Sequence, residues 1–595
     1  MVSRHTITLG LVTGAIVFCA TALLYHLDPR DVVVDFENGY EGGMIAEFNN
    51  RERAEDRFFR WTKAVSYLDF HNLPRTGLLV AEARLRVRRP GGEPLPNLAF
   101  TANDATVHTT AGLPGTVDYH FEFPATSAHV RLGIRSDTFD PSGKRPLGVQ
   151  VLGVTLRLPD ERVSWVAPAA WMAVAAVFLF VTAVVASGAS LPSAAIALVA
   201  SGGFVYLLAQ HAVRFSLYPR HVALLAGLTL IVALLARRFQ TDARASVTGA
   251  IAAVFLVEMA VAFYPLTLSS DADFQANRMQ HFLEGDWHPI SVTQHEPPFS
   301  IPYPVSLYAV SAPLVLMGVE RVSALTATTS VFDVVVSIAL IFLAWRFLDD
   351  VRGGVIAALI YQLAPMNALS SSAGNLTNLF AVAMLTLAFA WLLTRPVLCG
   401  VATFLALTAH FGMLLEGVVL WPAWLAALWL GPTPVQDHRK RLTLALIASF
   451  ALAAIYFSGY FELVSSQWDR ALSRGSGGGT GGWQATLSQL GWVFLAVAAL
   501  GAVSLTGGRR GSAFRTPALV WLGVTLLFVA IDVVSALEIR YALQALPLLA
   551  LFGGVYLSSA FDRGRLGAAA AWAAILYIGV VGVSTLHDVV LVRYH

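Results

Sequence analysis

Hydrophobic and polar positions divide the chain into three regimes. In "MVSRHTITLGLVTGAIVFCATALLYHLDPR" a basic start leads into an apolar stretch of about 20 residues, enough for a spanning helix. No small-x-small cleavage site follows, so residues 1–30 read as an uncleaved membrane anchor. From about Asp31 to Val163 the period drops to two. "LLVAEARLRVRR", "YHFEFP", "HVRLGIR" and "VQVLGVTLRL" alternate apolar with polar residues, with Pro, Gly and Asp between them. That alternation predicts half-buried strands at sandwich spacing, and residues 31–163 read as a soluble β-sandwich. Such a module either packs rigidly or binds a carbohydrate or partner, and nothing in it marks a site. Apolar runs then start near residues 164, 191, 221, 246, 325, 354, 376, 397, 414, 442, 486, 517, 541 and 566. They predict additional transmembrane helices over 164–245 and a membrane core over 246–595.

Basic loops orient these runs, because Lys and Arg collect on the cytoplasmic side. "ARRFQTDAR" (236–244), "DHRKR" (437–441), "TGGRRGSAFR" (506–515) and "FDRGR" (561–565) are the basic connections. They predict a cytoplasmic N-terminus, with the β-sandwich and the loop 267–300 extracytoplasmic. Parity then requires an odd number of crossings between Asp271 and residue 437, where six apolar stretches are available. The segment 301–318 holds Pro302, Pro304 and Pro313, which break helix hydrogen bonds. It is the stretch expected not to cross, although merging 397–430 into one kinked crossing also satisfies parity. The first choice gives about 15 spans with the C-terminus outside.

Composition agrees with a membrane protein. Of 595 residues 56% are hydrophobic and 13% charged, about half the charge fraction of a soluble chain. A net charge of +2 gives no case for nucleic-acid binding. Cys19 and Cys399 both lie in apolar runs and suggest neither a disulfide framework nor a zinc site. No Walker motif, dinucleotide fingerprint or HExxH appears.

Candidate chemistry concentrates in "LSSDADFQANRMQHFLEGDWHP" (268–289). Ser269 or Ser270 can cap a helix with Asp271 and Asp273 in its first turn, where acids are favoured. Ala276, Met279, Phe282 and Leu283 share one side at about 100° per residue, and Asn277, Gln280, His281 and Glu284 share the other. The pattern predicts an amphipathic helix on the membrane surface. Within one helix Asp271 and Asp273 would point about 200° apart, so one serves chemistry and the other caps or binds metal. His281, His288 and His295 recur every seven residues, but a helix cannot run through Pro289. His410 and Glu416 lie in an apolar run, where ionisable groups usually face a cavity.

An acidic outer loop, a surface helix ending "EGDW", and then "HEPPFSIPYPVSLYAV" resemble the C-type-fold (GT-C) polyprenyl-phosphate-sugar-dependent glycosyltransferases. That family includes protein O-mannosyltransferases, oligosaccharyltransferase catalytic subunits and the lipid A aminoarabinose transferase. "LAPMNALSSSAGNLTNLFAVAML" is similar to the segment where many members place a second acid, and "LEIRYALQALPLLALFGG" to a late outer-loop Arg-Tyr. The resemblance covers roughly 245–560. It departs where many members have Thr-Asp, since this chain has Thr377-Asn378.

The resemblance implies sugar transfer from a polyprenyl-phosphate donor to an extracytoplasmic lipid, glycan or protein. Inverting transfer needs a base for the acceptor hydroxyl and a cation for the leaving phosphate. Asp271 or Asp273 is the expected base and Arg540 the expected phosphate partner. Glu296, His295, Asn378, His410 and Tyr541 are expected to frame the substrate. A divalent metal, Mg or Mn, is the one cofactor the acidic pair leaves open. The bland alternatives are a solvated helix cap for Asp271 and an interfacial charge beside Glu538 for Arg540. A non-catalytic carrier, transporter or assembly subunit of the same fold is the competing class.

Overall fold

The computed structural model describes residues 31–37, 44–54, 57–70, 77–89, 93–140, 145–157, 246–251, 270–292, 300–430, 436–463, 489–507, 512–535 and 540–586, with a few isolated positions. The expected anchor, the crossings over 164–245 and the glycine-rich loop 473–483 lie outside the described residues, apart from isolated positions. The chain forms two compact units: residues 1–248 with 263–267 and 587–595, and residues 249–262 with 268–586.

The first unit carries nine antiparallel strands: β1 (Val32–Asp35), β2 (Ile45–Ala54), β3 (Arg57–Phe70), β4 (Gly77–Val87), β5 (Asn97–Ala102), β6 (Ala105–Ala111), β7 (Gly115–Ala125), β8 (Val130–Ser136) and β9 (Gln150–Arg157). Their order is β6-β5-β8-β3-β9-β4-β7, with β1 also on β9 and β2 also on β3. The long strand β3 joins two layers. Val65–Phe70 pair with β8, while Arg60 and Trp61 pair with β9. The sheet thus curls, barrel-like, around one core. Leu79, Ala81, Ala83, Leu85 and Val87 of β4 point into it with Tyr119, Phe121 and Phe123 of β7 and Val130, Leu132 and Ile134 of β8. Period-2 sequence becomes one buried face per strand. On the outer face, opposite charges sit directly across the ladders, as Arg84 on Asp118 at 3.0 Å and Arg131 on Asp69 at 2.8 Å.

The second unit is helical. It comprises α1 (Ser270–Leu283), the hairpin β10 (Ile290–Val292) and β11 (Ser300–Pro302), then α2 (Ser306–Leu316), α3 (Arg321–Leu348), α4 (Val351–Gln362), α5 (Pro365–Ser372), α6 (Leu376–Leu392), α7 (Pro396–Leu407), α8 (Phe411–Leu430), α9 (Gln436–Ser458), α10 (Trp492–Gly507), α11 (Ser512–Ser535), α12 (Arg540–Phe561) and α13 (Gly564–Leu586). Among the described residues six helices are long and apolar enough to cross a membrane: α3, α8, α9, α11, α12 and α13. The pair α4–α5, bent by 46°, is a seventh candidate. The shorter apolar helices are α2, α6, α7 and α10.

Contacts order these helices end to end. Arg321, opening α3, donates to Gln280 of α1 at 2.7 Å, so α3 starts where α1 sits. At the opposite end Arg352 donates to the Ser558 hydroxyl at 2.9 Å and to Asp562 at 2.8 Å. Leu392, ending α6, accepts from His438 of α9 at 2.9 Å. Thr408, after α7, accepts from the Ser306 N–H of α2 at 3.0 Å. Tyr460, after α9, reaches Pro289 at 3.1 Å. Between α1 and residue 437 the described residues hold two helices long enough to cross a membrane, α3 and α8, the bent pair α4–α5 as a further candidate, and the shorter α6 and α7. Helix α2, expected not to cross, starts beside Thr408, and the chain leaving it returns to Gln280 of α1 at Arg321.

Candidate functional site

The acidic loop becomes a small module at one end of the bundle. Helix α1 begins at Ser270, so Asp271 and Asp273 both lie in its first turn. Both are exposed, and helical geometry splays them about 200° apart, as the sequence requires. The helix stops at Gly285, whose φ of +100° is the left-handed conformation that glycine tolerates. There the Asp286 N–H reaches back to the His281 carbonyl at 2.9 Å. "EGDW" is therefore, locally, a helix-ending motif.

The apolar stripe of α1 differs in part from expectation. Ala272, Ala276 and Met279 are buried, but Leu283 at the frayed end is 37% exposed. The stripe packs on α2 and α3, in a core with Val305, Leu307, Tyr308 and Leu325. It is thus a protein-facing stripe, where the sequence suggested a membrane-facing one. Inside it sits a polar residue that periodicity missed. Gln275 is buried, donates to the Tyr303 hydroxyl at 2.6 Å and accepts from the Tyr308 hydroxyl at 2.6 Å. Its amide joins α1 to both ends of the segment that opens α2.

Tyrosines bind the module to α9. The Tyr460 hydroxyl lies 3.1 Å from the Pro289 carbonyl and 3.3 Å from that of Tyr303. His288 stacks on Tyr456 with ring centroids 5.3 Å apart and meets Tyr460 edge-on at 5.1 Å. Its Nε2 is 3.1 Å from the Tyr456 carbonyl. A carbonyl only accepts, so Nε2 carries the proton. The approach needs glycine at 459, because a Cβ there would stand 2.3 Å from His288 Nε2. Burial pushes the Tyr308 and Tyr460 phenols well above their ordinary range, so both stay neutral donors.

A second cluster lies along the same end. His410, between α7 and α8, is half-buried, and its Nδ1 accepts the Gly412 N–H at 3.1 Å. That bond puts the proton of the neutral ring on Nε2. A Cβ on Gly412 would lie 3.1 Å from His410 Nδ1 and 3.7 Å from Tyr541 Cε1. His410 and Tyr541, far apart in sequence, thus meet around one glycine. Tyr541 is buried and packs on Phe528 at 5.1 Å. Arg540 is the first residue of α12, immediately before it. The two clusters connect through α2: Ser306 bonds Thr408 through backbone and side chain, two residues before His410.

The remaining expected residues divide. Asn378 is buried in the first turn of α6. His295, Glu296 and the Arg540 side chain lie outside the described residues. Among the described residues no group of three or more His, Cys, Asp or Glu could hold a metal, and Asp271 and Asp273 diverge. His281 sits 3.9 Å from Glu284, while His288 belongs to the tyrosine seat. Glu416 is fully buried and accepts from Thr525 of α11 at 2.5 Å.

The sequence reading missed a buried acid pair. Asp333 of α3 accepts from Tyr361, from Gln362 at 2.7 Å and from Asn367 at 2.9 Å. These partners flank the α4–α5 bend, and Glu258 is hydrogen-bonded to the same carboxyl group. The available signal was a lone acid in each of two apolar runs. In the β unit, a shallow cleft of about 560 Å³ is lined by Asn97, Thr109, Thr110, Arg135 and Asp137. Its one acid, Asp137, already accepts from the Asn97 N–H at 2.9 Å and side-chain amide at 3.1 Å.

No family model matches the chain. No curated protein matches it. Among solved structures, the C-terminal CBM6 of LamC, a marine laminarinase from Zobellia galactanivorans, aligns over 22% of this chain and 100% of that one, at 10% identity and a TM-score of 0.16. A likeness of that size carries no argument.

Proposed function

We propose that the chain is an integral membrane glycosyltransferase of the GT-C type, moving a sugar from a polyprenyl-phosphate donor to an extracytoplasmic acceptor. The observation that carries this reading is the shared location of three features. An acid-headed helix, the His410–Tyr541 cluster and the start of α12 with Arg540 all belong to one end of the bundle. In this reading that end faces outward, the N-terminus is cytoplasmic, and the full chain makes about 15 spans of the inner membrane. The acceptor hydroxyl gives its proton to Asp271 as its oxygen attacks the anomeric carbon. The bond from that carbon to the phosphate oxygen breaks, and the lipid phosphate leaves with the electron pair. Arg540 balances the charge that develops on it. In this reading His410 and Tyr541 frame that position.

Asp271→Asn keeps the size and the acceptor oxygen of a helix cap but cannot take up a proton. Purified Asp271→Asn should still bind the lipid-phosphate sugar while transfer falls by about 10²–10⁴. Asp273→Asn is the control, since its carboxylate points elsewhere. Transfer within a few-fold of wild type in both variants would remove the base. It would favour the carrier reading, which already has Asn378 in its support, a buried amide where a second acid was expected.

A further inference from the structure

We infer that Arg278, at the edge of the buried face of α1, holds the phosphate group of the substrate in the same site as Asp271. This rests on the lipid-phosphate reading above and adds a residue that the family resemblance does not point to. Arg278 is the one Lys or Arg in the segment 268–289, which carries four acids: Asp271, Asp273, Glu284 and Asp286. Such an arginine would ordinarily be neutralised within its helix. Its spacing forbids that. Positions three and four residues away are Gln275, Phe274, His281 and Phe282, and helical ion pairs form only at those separations. Among the described residues the guanidinium makes neither a hydrogen bond nor an ion pair, and its buried Nε has no partner.

Packing holds the group in place instead. The guanidinium carbon lies 4.9 Å over the Phe274 ring, and Phe274 meets Tyr303 edge-on at 5.1 Å. A guanidinium stacked on an aromatic ring keeps its planar fork free in the plane for a bidentate anion. The half-buried Arg278 lies within electrostatic reach of the Tyr308 phenol, as do Tyr303, Tyr456 and Tyr460. Among the described residues the surroundings are thus one cation without a polar partner and several tyrosine hydroxyls, with Asp286 acting on Tyr456 and Tyr460. That set suits an anion that also carries hydroxyl groups, as a phosphosugar does. Asp271 stands seven residues before Arg278, on the same face of the helix and about 10 Å along it. A phosphate on Arg278 would place the attached sugar between the cation and the carboxylate. The neighbouring acids would repel a free anion, so recognition depends on the fork engaging the phosphate closely.

The test uses the purified full chain in nanodiscs of zwitterionic lipid, with farnesyl phosphate, farnesol and inorganic phosphate as probes. Wild type should bind farnesyl phosphate more tightly than farnesol. Arg278→Gln should lose about tenfold to a hundredfold of the farnesyl phosphate affinity, the size expected for a charge-assisted contact, and keep its farnesol affinity. Arg278→Lys, which retains the charge without the fork, should recover part of the loss and show that the fold survives. Binding of inorganic phosphate as tight as that of farnesyl phosphate, and equally dependent on Arg278, would identify a free phosphate as the source of the same group. Unchanged farnesyl phosphate affinity in Arg278→Gln overturns the inference. If Arg540→Gln then loses it, the donor reading stands without Arg278. If wild type itself does not distinguish farnesyl phosphate from farnesol, the donor reading falls as well.

Discussion

The absence of a side chain at position 459 decides how the outer module sits. His288 Nε2 occupies the space a Cβ would take, 2.3 Å from where that atom would stand. Gly459→Ala must push the imidazole off its stacking partner Tyr456 and off the carbonyl it serves. Overpacking of this kind costs about 1–3 kcal/mol. We expect Gly459→Ala to lower the denaturation midpoint, and His288→Ala to lower it by less. The double variant should be more stable than the sum of the two losses predicts, because the clash is gone. Strict additivity in that double-mutant cycle would mean that the histidine is not what glycine makes room for. At the same scale, the first turn of α1 explains why two acids separated by one residue need not share a role. They leave the helix in nearly opposite directions, so exchanging one for its amide leaves the other where it was.

The elements differ in how far they could be read in advance. Strands β4, β7, β8 and β9 were legible because one wall of each is buried and the other wet, so the period of two survives in the sequence. Helix α1 was legible from its serine and acidic start and its 3.6 period. Its docking was not, since an apolar stripe looks the same whether it meets lipid or protein. Gln275 was illegible for a related reason: an amide among apolar residues does not announce which hydroxyls it will bridge. The meeting of His410 with Tyr541 depends on the order in which helices return to one end, which no local pattern encodes. The β2–β3 pair offers a prediction at this scale. The Lys63 ammonium, 2.7 Å away, holds Glu47 below the ordinary carboxylate range. A folded-state pKa below the unfolded one gives stability that is present at neutral pH and lost as pH falls through the folded value. Hydrogen exchange of β2 and β3 should therefore show protection dropping as pH falls through and below the ordinary carboxylate range, with a smaller drop in Glu47→Gln. The difference should shrink in high salt, as the pair is exposed. Identical drops in both proteins would remove this ion pair from the acid response.

Across the whole molecule, the proposed topology makes a prediction that local structure cannot. In the proposed topology Ser371, in α5, belongs to the outward end, and Arg565, three residues after Asp562 of the Arg352–Asp562 bridge, to the inward one. In a background lacking Cys19 and Cys399, a cysteine at 371 should react with an impermeant thiol reagent applied to the outer face. A cysteine at 565 should react only after the membrane is opened. The reverse pattern would place the acidic helix in the cytoplasm and rule out an extracytoplasmic acceptor. The seat of that helix has a further consequence. Its ties described above join Gln275 to Tyr303 and Tyr308, Tyr460 to Pro289, His288 to Tyr456, and Arg321 to Gln280. None of these pairs two full charges. Ionic strength acts on separated charges and hardly on neutral hydrogen bonds or stacked rings. The frame around the site is therefore built to hold its shape against shifts in salt or in the surface charge of the surrounding lipids, while any anion captured on α1 would feel both.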